Sequence, residues 1–148
     1  MRQHMERYFL DEEHGEVTEI GVIRMRLLVP SAETGGTFTV VELRGSEGPW
    51  TVPHIHQRTE ESFYVLEGSF QFTVGDQEGE VTPGTVVRVP RGTRHIMRAG
   101  PGGGALLTYW VPGGLEEMFR ELGRLPAASV TDPEVRAEIA KRYDSIPA

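Results

Sequence analysis

The stretch that decides the fold lies near the middle of the chain. It reads Gly48-Pro-Trp-Thr-Val-Pro-His54-Ile-His56-Gln-Arg-Thr-Glu-Glu61-Ser-Phe-Tyr-Val-Leu-Glu-Gly68. His54 and His56 are two residues apart, so on a β-strand both imidazoles would project from the same face. Two nitrogen donors on one face, followed by the carboxylate of Glu61, are typical of a metal site. A surface histidine pair would show the same local spacing, so the spacing alone leaves both interpretations open.

A second stretch adds a third histidine. It reads Gly84-Thr-Val-Val-Arg-Val-Pro90-Arg-Gly92-Thr-Arg-His95-Ile-Met-Arg-Ala99. His95 would complete a set of three imidazoles and one carboxylate, although a lone histidine can equally be a hydrogen-bonded core residue. His4 and His14 lie in a polar N-terminal segment, where we expect both to be solvent-exposed.

Outward from these stretches, short segments of β-forming residues alternate with turns. The predicted strands cover residues 19–29, 37–43, 50–56, 62–66, 70–74, 77–81, 85–89, 95–98 and 105–111. Clusters rich in glycine and proline separate them, including a break at Gly68, a hairpin turn at Gly75-Asp76 and a loop over Gly100–Gly104. This spacing predicts an all-β sandwich or barrel.

The C-terminal tail changes to helical periodicity. Two apolar stripes at helical spacing are formed by Leu115, Met118, Phe119 and Leu122, and by Val135, Ile139 and Tyr143. We predict that Gly123 ends the first helix, that Thr131 or Asp132 caps the second, and that both stripes pack against the barrel. The chain is interpreted as a single domain over 1–148, with a barrel core of about 18–112 and a helical tail over 113–148.

The composition excludes several classes of function. The chain has 148 residues, a net charge of −7 and no cysteine, so a thiolate nucleophile or a Cys-ligated zinc site is impossible. The negative charge disfavours nucleic acid as a partner. No apolar stretch is long enough to cross a membrane, and the N-terminal segment lacks a signal-peptide pattern. We therefore expect a cytoplasmic protein that binds neither nucleic acid nor membrane.

The two quoted stretches resemble the two sequence motifs of the cupin superfamily. The first motif is a glycine, five residues, His-x-His, three or four residues, a glutamate, six residues and a glycine, and every fixed position is met. Glu60 fits the shorter spacing before the glutamate but not the spacing to Gly68, which assigns the position to Glu61. In the second motif only Ala99 departs, because it stands where the family has asparagine.

This resemblance implies a cupin jelly-roll β-barrel with short C-terminal helices. It also implies one divalent metal ion whose ligands are His54, His56, Glu61 and His95. A donor set without sulfur suits iron, manganese, nickel, cobalt, copper or zinc, and does not choose among them. Four protein ligands leave positions open for water, oxygen or substrate. Glu61 has a second predicted role as a catalytic base for a substrate hydroxyl or enol.

A finer resemblance points to an activity. Thr34-Gly35-Gly36-Thr-Phe-Thr-Val-Val-Glu42 and Pro112-Gly-Gly-Leu-Glu-Glu-Met-Phe-Arg-Glu-Leu122 are similar to small single-domain cupins grouped with quercetin dioxygenases. That group implies a metal-dependent dioxygenase acting on an enolisable or phenolic small molecule. Two alternatives stay open, namely a non-redox metal-dependent isomerase or lyase, and a cupin that binds a small molecule without turnover.

Phe63 and Met97 are further candidates for the substrate pocket. Phe63 shares the strand parity of Glu61, and Met97 shares that of His95, although core packing would explain both residues equally. Arg58 and Arg94 adjoin ligand positions. They could meet an anionic substrate, but could also be solvated or pair with acids such as Glu60.

We also expect a homodimer. The apolar strand Ile20–Val29 would serve as its contact, because an unpaired edge strand invites pairing with a second chain.

Overall fold

A computed structural model describes residues 8–130 and 132–148. It contains the strands and helices β1 (Val17–Ile20), β2 (Ile23–Val29), β3 (Thr39–Gly45), β4 (Gly48–Pro49), β5 (His54–Ile55), β6 (Glu60–Val74), β7 (Gln77–Val81), β8 (Val86–Val89), β9 (His95–Val111), α1 (Glu116–Gly123), α2 (Ala127–Val130), α3 (Pro133–Ala140) and β10 (Ile146–Pro147), with a 3₁₀ turn at Ser31–Thr34. The predicted all-β fold with short C-terminal helices is confirmed.

The long strand β9 organises an antiparallel sheet of ten strands. One edge of β9 pairs with β3, β4 and β5, and the other edge pairs with β6. β6 in turn carries β7 and β8 on its far edge, while β2 and β1 continue outward from β3. Within the described residues the hydrogen-bonded path is open, running from β1 at one end to β10 at the other.

The predicted strand over residues 19–29 is in fact a hairpin. β1 and β2 are joined by a two-residue turn that begins at Gly21, whose φ of 58° suits glycine. β2 therefore lies between β1 and β3 and has no free edge. The expectation that Ile20–Val29 is an unpaired edge strand was wrong, because the β-forming residues on both sides of Gly21 concealed the turn.

Two predicted breaks lie inside continuous strands. Gly68 is within β6, and the glycines over 100–104 are within β9. Gly68 has a φ of 73°, and a Cβ there would lie 2.1 Å from the carbonyl oxygen of Gly103. These glycines thus permit the close approach of β6 and β9, and they do not end either strand.

The predicted strand over residues 50–56 is also shorter than expected. Only His54–Ile55 is a strand, because the backbone amides of Trp50 and Thr51 both donate to the carbonyl oxygen of Met97 at 3.1 and 3.4 Å. Two residues opposite one partner interrupt the ladder as in a β-bulge.

The main core lies inside the curved sheet, and the C-terminal tail forms a second, smaller core. Met25, Val41, Phe70 and Leu106 are fully buried in the main core. α1 packs over β1, and α3 packs against α1 and β10. These elements share a second apolar cluster made of Ile20, Met118, Leu122, Val130 and Ile139. The predicted packing of both stripes against the barrel is therefore confirmed.

The predicted helix ends are partly correct. Asp132 caps α3 by accepting a hydrogen bond from the amide of Glu134 at 2.9 Å, while Thr131 lies outside the described residues. Gly123 is the last residue of α1 and does not follow it. A Cβ at Gly123 would lie 2.3 Å from Thr18 Cγ2, so the close approach of α1 to β1 requires glycine. Among the described helices, none combines the length and apolarity needed to cross a membrane.

Candidate metal centre

Three parts of the sheet bring the four predicted ligands together. His54 and His56 come from β5 and the residue after it, Glu61 from β6, and His95 from the start of β9. One ligand atom from each residue can be chosen so that all four lie within 4.8 Å of one another. His54 is directly opposite His95 in the β5–β9 pairing, which explains how residues so distant in sequence meet.

The orientation of each imidazole is set by a backbone carbonyl. His54 Nδ1 lies 2.7 Å from the oxygen of Val52, His56 Nδ1 lies 2.6 Å from that of Asp144, and His95 Nδ1 lies 2.9 Å from that of Thr93. A carbonyl oxygen only accepts, so each Nδ1 carries a proton. In the neutral rings, the unprotonated Nε2 atoms are therefore left as donors to a metal, the arrangement that outer partners produce around metal-binding histidines.

Glu61 is held from two sides. Its Oε1 lies 3.0 Å from His95 Nε2 and 3.4 Å from His56 Nε2, while its Oε2 accepts a hydrogen bond from Trp110 Nε1 at 2.6 Å. Trp110 faces Glu61 in the β6–β9 pairing and is 1% exposed. Motif spacing gave no signal for Trp110, because the contact depends on the register between two strands.

The preference for Glu61 over Glu60 agrees with the geometry. Glu60 points to different partners, since its carboxylate accepts hydrogen bonds from the Arg88 side chain and the Arg91 amide at 2.8 and 2.7 Å. Consecutive strand residues face opposite sides of a sheet, so only one of the two glutamates can reach the histidines.

The electrostatics favour an ionised Glu61 carboxylate and a neutral His54 imidazole. Burial favours protonation of Glu61, but its contacts with His56 and His95 outweigh that effect and hold the pKa of Glu61 well below its usual range. Burial, with the neighbouring His95 and His56, lowers the pKa of His54 to about 4. Burial also opposes the charging of His56, but its contacts with Glu61 and with the carbonyl of Asp144 raise the pKa of His56 overall.

The donor set fits a divalent cation. With the Nδ1 protons directed at carbonyls, Nε2 lone pairs of His56 and His95 face a carboxylate oxygen at 3.0–3.4 Å. Such facing acceptors need a cation between them, which is either a shared proton or a metal ion. These four residues could therefore hold a metal ion.

A cavity of about 480 Å³ opens beside the ligands. Its walls are mostly apolar and come from the barrel and from α1 and α3. Phe63 lines it, as its parity suggested, whereas Met97 packs in the buried core and is not part of the lining. Arg58 and Arg94 are exposed and lie outside the lining, which instead contains Arg136 from α3.

The C-terminal segment is attached directly to the loop that carries the histidines. The carboxylate of Asp144 accepts hydrogen bonds from the Gln57 amide, the Arg58 amide and the Thr59 hydroxyl at 2.9, 2.8 and 2.8 Å. β10 pairs with β5 immediately afterwards. The sequence gave no local signal for this contact, since Asp144 lies 88 residues from His56.

The all-β fold thus carries a candidate metal site, formed by three histidines and one glutamate, that lines a mostly apolar cavity. A family model described as a cupin domain matches residues 39–112. The chain belongs to the cupin family.

The most informative relatives are quercetin 2,3-dioxygenases. The Bacillus subtilis protein is 33% identical over 116 residues, covering 78% of this chain and 34% of the relative. The Aspergillus japonicus protein is 30% identical over 119 residues, covering 74% of this chain and 33% of the relative. The chain thus spans about a third of the length of these relatives.

Solved structures agree on the fold. KdgF from Halomonas sp. superposes with a TM-score of 0.66 at 18% identity, covering 76% of this chain and 99% of that one. At this identity the likeness supports the cupin fold alone.

Proposed function

We propose that this cupin is a metal-dependent dioxygenase acting on an enolisable or phenolic small molecule. The observation that carries the proposal is the convergence of one ligand atom each from His54, His56, Glu61 and His95 in the lining of a mostly apolar cavity. The similarity to two quercetin 2,3-dioxygenases supports the reaction type. The cavity volume falls within the range of about 300–1,000 Å³ that is usual for small-molecule sites.

In this proposal His54, His56, Glu61 and His95 hold the metal ion, which supplies Lewis-acid and redox chemistry when bound. The carbonyl contacts at Nδ1 keep the imidazoles in the ligating tautomer. The apolar walls exclude water and strengthen electrostatic interactions inside the cavity.

Glu61 has the second role of proton acceptor. Trp110 Nε1 holds Oε2 and so fixes the orientation of the carboxylate, which takes a proton from a substrate hydroxyl. The donor from Trp110 also stabilises the ionised carboxylate before that transfer.

The test begins with metal analysis of purified protein beside the His54→Ala/His56→Ala double variant. We expect about one redox-active metal ion per chain in the wild type and none in the variant, because two of four ligands are lost. Oxygen uptake with quercetin should follow metal content, and Glu61→Gln should reduce it by about 100-fold or more.

Three results would contradict this function. Absence of metal after reconstitution would remove the site. Turnover with zinc in the absence of oxygen would favour a non-redox isomerase or lyase. Thermal stabilisation by a ligand without any turnover would favour a binding protein.

A further inference from the structure

Helix α3 turns one face toward the metal-site cavity. Pro133, Arg136, Ala137 and Ala140 all line the cavity, and they follow the i, i+3, i+4, i+7 spacing of a single helical face. Three of the four residues are small or apolar. Arg136 thus places a cation in an otherwise apolar wall, on an element that lies outside the two sequence motifs.

Arg136 is partly buried and lacks an acidic partner. Within residues 8–130 and 132–148, no carboxylate forms an ion pair with it, and no hydrogen bond from its guanidinium is found. Neighbouring cations in the tail behave differently, since Arg120 pairs with Glu16, and Arg142 pairs with Glu121. Burial lowers the pKa of Arg136, which is the expected sign for a cation removed from water without compensation.

An unpaired, desolvated cation is costly, and charges removed from water in proteins are usually paired. An anionic ligand in the cavity would supply the counter-charge that Arg136 lacks. Guanidinium matches a carboxylate well, because two parallel N–H donors meet two oxygens in one plane. The acidic side chain among the cavity-lining residues is that of Glu61, which already contacts His56, His95 and Trp110.

We propose that Arg136 forms a subsite for a carboxylate on the substrate, so that this cupin selects small phenols or enols that also carry a carboxylate. The proposal rests on the proposed function in one respect, namely that the hydroxyl or enol end of the same molecule lies at the histidine cluster. It adds a specificity-determining residue from the tail to a site whose ligands come from the barrel.

The experiment compares 3,4-dihydroxybenzoate with its methyl ester, which keeps both hydroxyls and loses the charge. Titration calorimetry is performed on metal-loaded wild type, Arg136→Met, Arg136→Lys and the control Arg124→Gln, which removes an exposed cation from the same tail. We expect wild type and Arg124→Gln to bind the acid at least about tenfold more tightly than the ester. Arg136→Met should lose that preference while its affinity for the ester stays unchanged, and Arg136→Lys should keep part of it.

The melting temperature of Arg136→Met should equal or exceed that of wild type, because the variant removes an unpaired desolvated cation. An equal preference for acid and ester in wild type, including binding of neither, would overturn the proposal. A preference for the acid over the ester that survives in Arg136→Met would also overturn it. So would inorganic phosphate that binds as tightly as 3,4-dihydroxybenzoate and depends on Arg136 to the same extent.

Repeating the titrations on metal-free protein separates this proposal from the proposed function. Ester affinity that does not depend on metal would contradict the role of the histidine cluster. Acid-over-ester preference that disappears in Arg136→Met would still support the carboxylate subsite in that case.

Discussion

The contact between Asp144 and the histidine-bearing loop makes a quantitative prediction for Asp144→Ala. The substitution removes three hydrogen bonds to a carboxylate, from the Gln57 amide, the Arg58 amide and the Thr59 hydroxyl. Each such bond contributes about 1.5–3 kcal/mol. Gln57 and Arg58 are exposed, so water can replace the partner of their amides, but Thr59 is 4% exposed and its hydroxyl would stay unsatisfied. We therefore expect a loss of about 2–4 kcal/mol in the free energy of unfolding, well below the simple sum.

The same substitution should weaken metal binding. His56 Nδ1 donates to the backbone oxygen of Asp144, and loosening that residue frees the imidazole to rotate. Loss of such an outer partner costs about 10- to 100-fold in metal affinity.

Urea unfolding in the presence of a chelator measures the stability effect of Asp144→Ala, and chelator competition measures the metal affinity. Glu138→Ala is the matched control, because it breaks an exposed tail pair with Lys141 and should change stability by less than about 0.5 kcal/mol. The reasoning fails if Asp144→Ala loses under about 1 kcal/mol and keeps its metal affinity within about twofold.

The remaining predictions concern the ligand carboxylate, a buried tail carboxylate and oligomeric state. Trp110→Phe should weaken metal affinity by about tenfold in chelator competition, because it removes the hydrogen-bond donor to the ligand carboxylate. The control is Trp50→Phe, which should leave metal affinity unchanged, since the Trp50 indole donates to a backbone oxygen. Glu116→Gln should cost about 2–4 kcal/mol at pH 7, because the fully buried carboxylate accepts three hydrogen bonds. Burial opposes ionisation of Glu116, but those donors hold its pKa below the usual range. The contribution of Glu116 to the free energy of unfolding is therefore present above about pH 4.3 and is lost as the pH falls through the lower pKa of the folded state. Urea titrations should show the gap to wild type closing in acid, and a constant gap would contradict this assignment. Light scattering should give a homodimer of twice the chain mass of 16.5 kDa, with the contact on the outer sheet face where Tyr64 and Tyr109 are each 43% exposed. A 16.5 kDa wild type would exclude the dimer.

Some of the fold was predictable and some was not, for reasons visible in particular elements. The hairpin turn at Gly75-Asp76, which joins β6 directly to β7, was predicted correctly. Such a turn is favoured by the two turn residues themselves, so its signal is local. The hairpin at Gly21 was missed, because apolar residues flank it on both sides. Gly68 was interpreted as a break, yet it serves the close crossing of β6 and β9, which depends on a strand that begins 27 residues later.

For the candidate site, the sequence by itself determined the donor types and their local spacing. His54 and His56 face one way because side chains two apart on an extended chain must do so, and motif spacing separated Glu61 from Glu60. Only the tertiary structure decided what surrounds those donors. Trp110 lies 49 residues from Glu61, and Asp144 lies 88 residues from His56. Such contacts depend on strand register and on where the C-terminal segment docks, which result from packing summed over the whole molecule and leave no periodic trace in the local sequence.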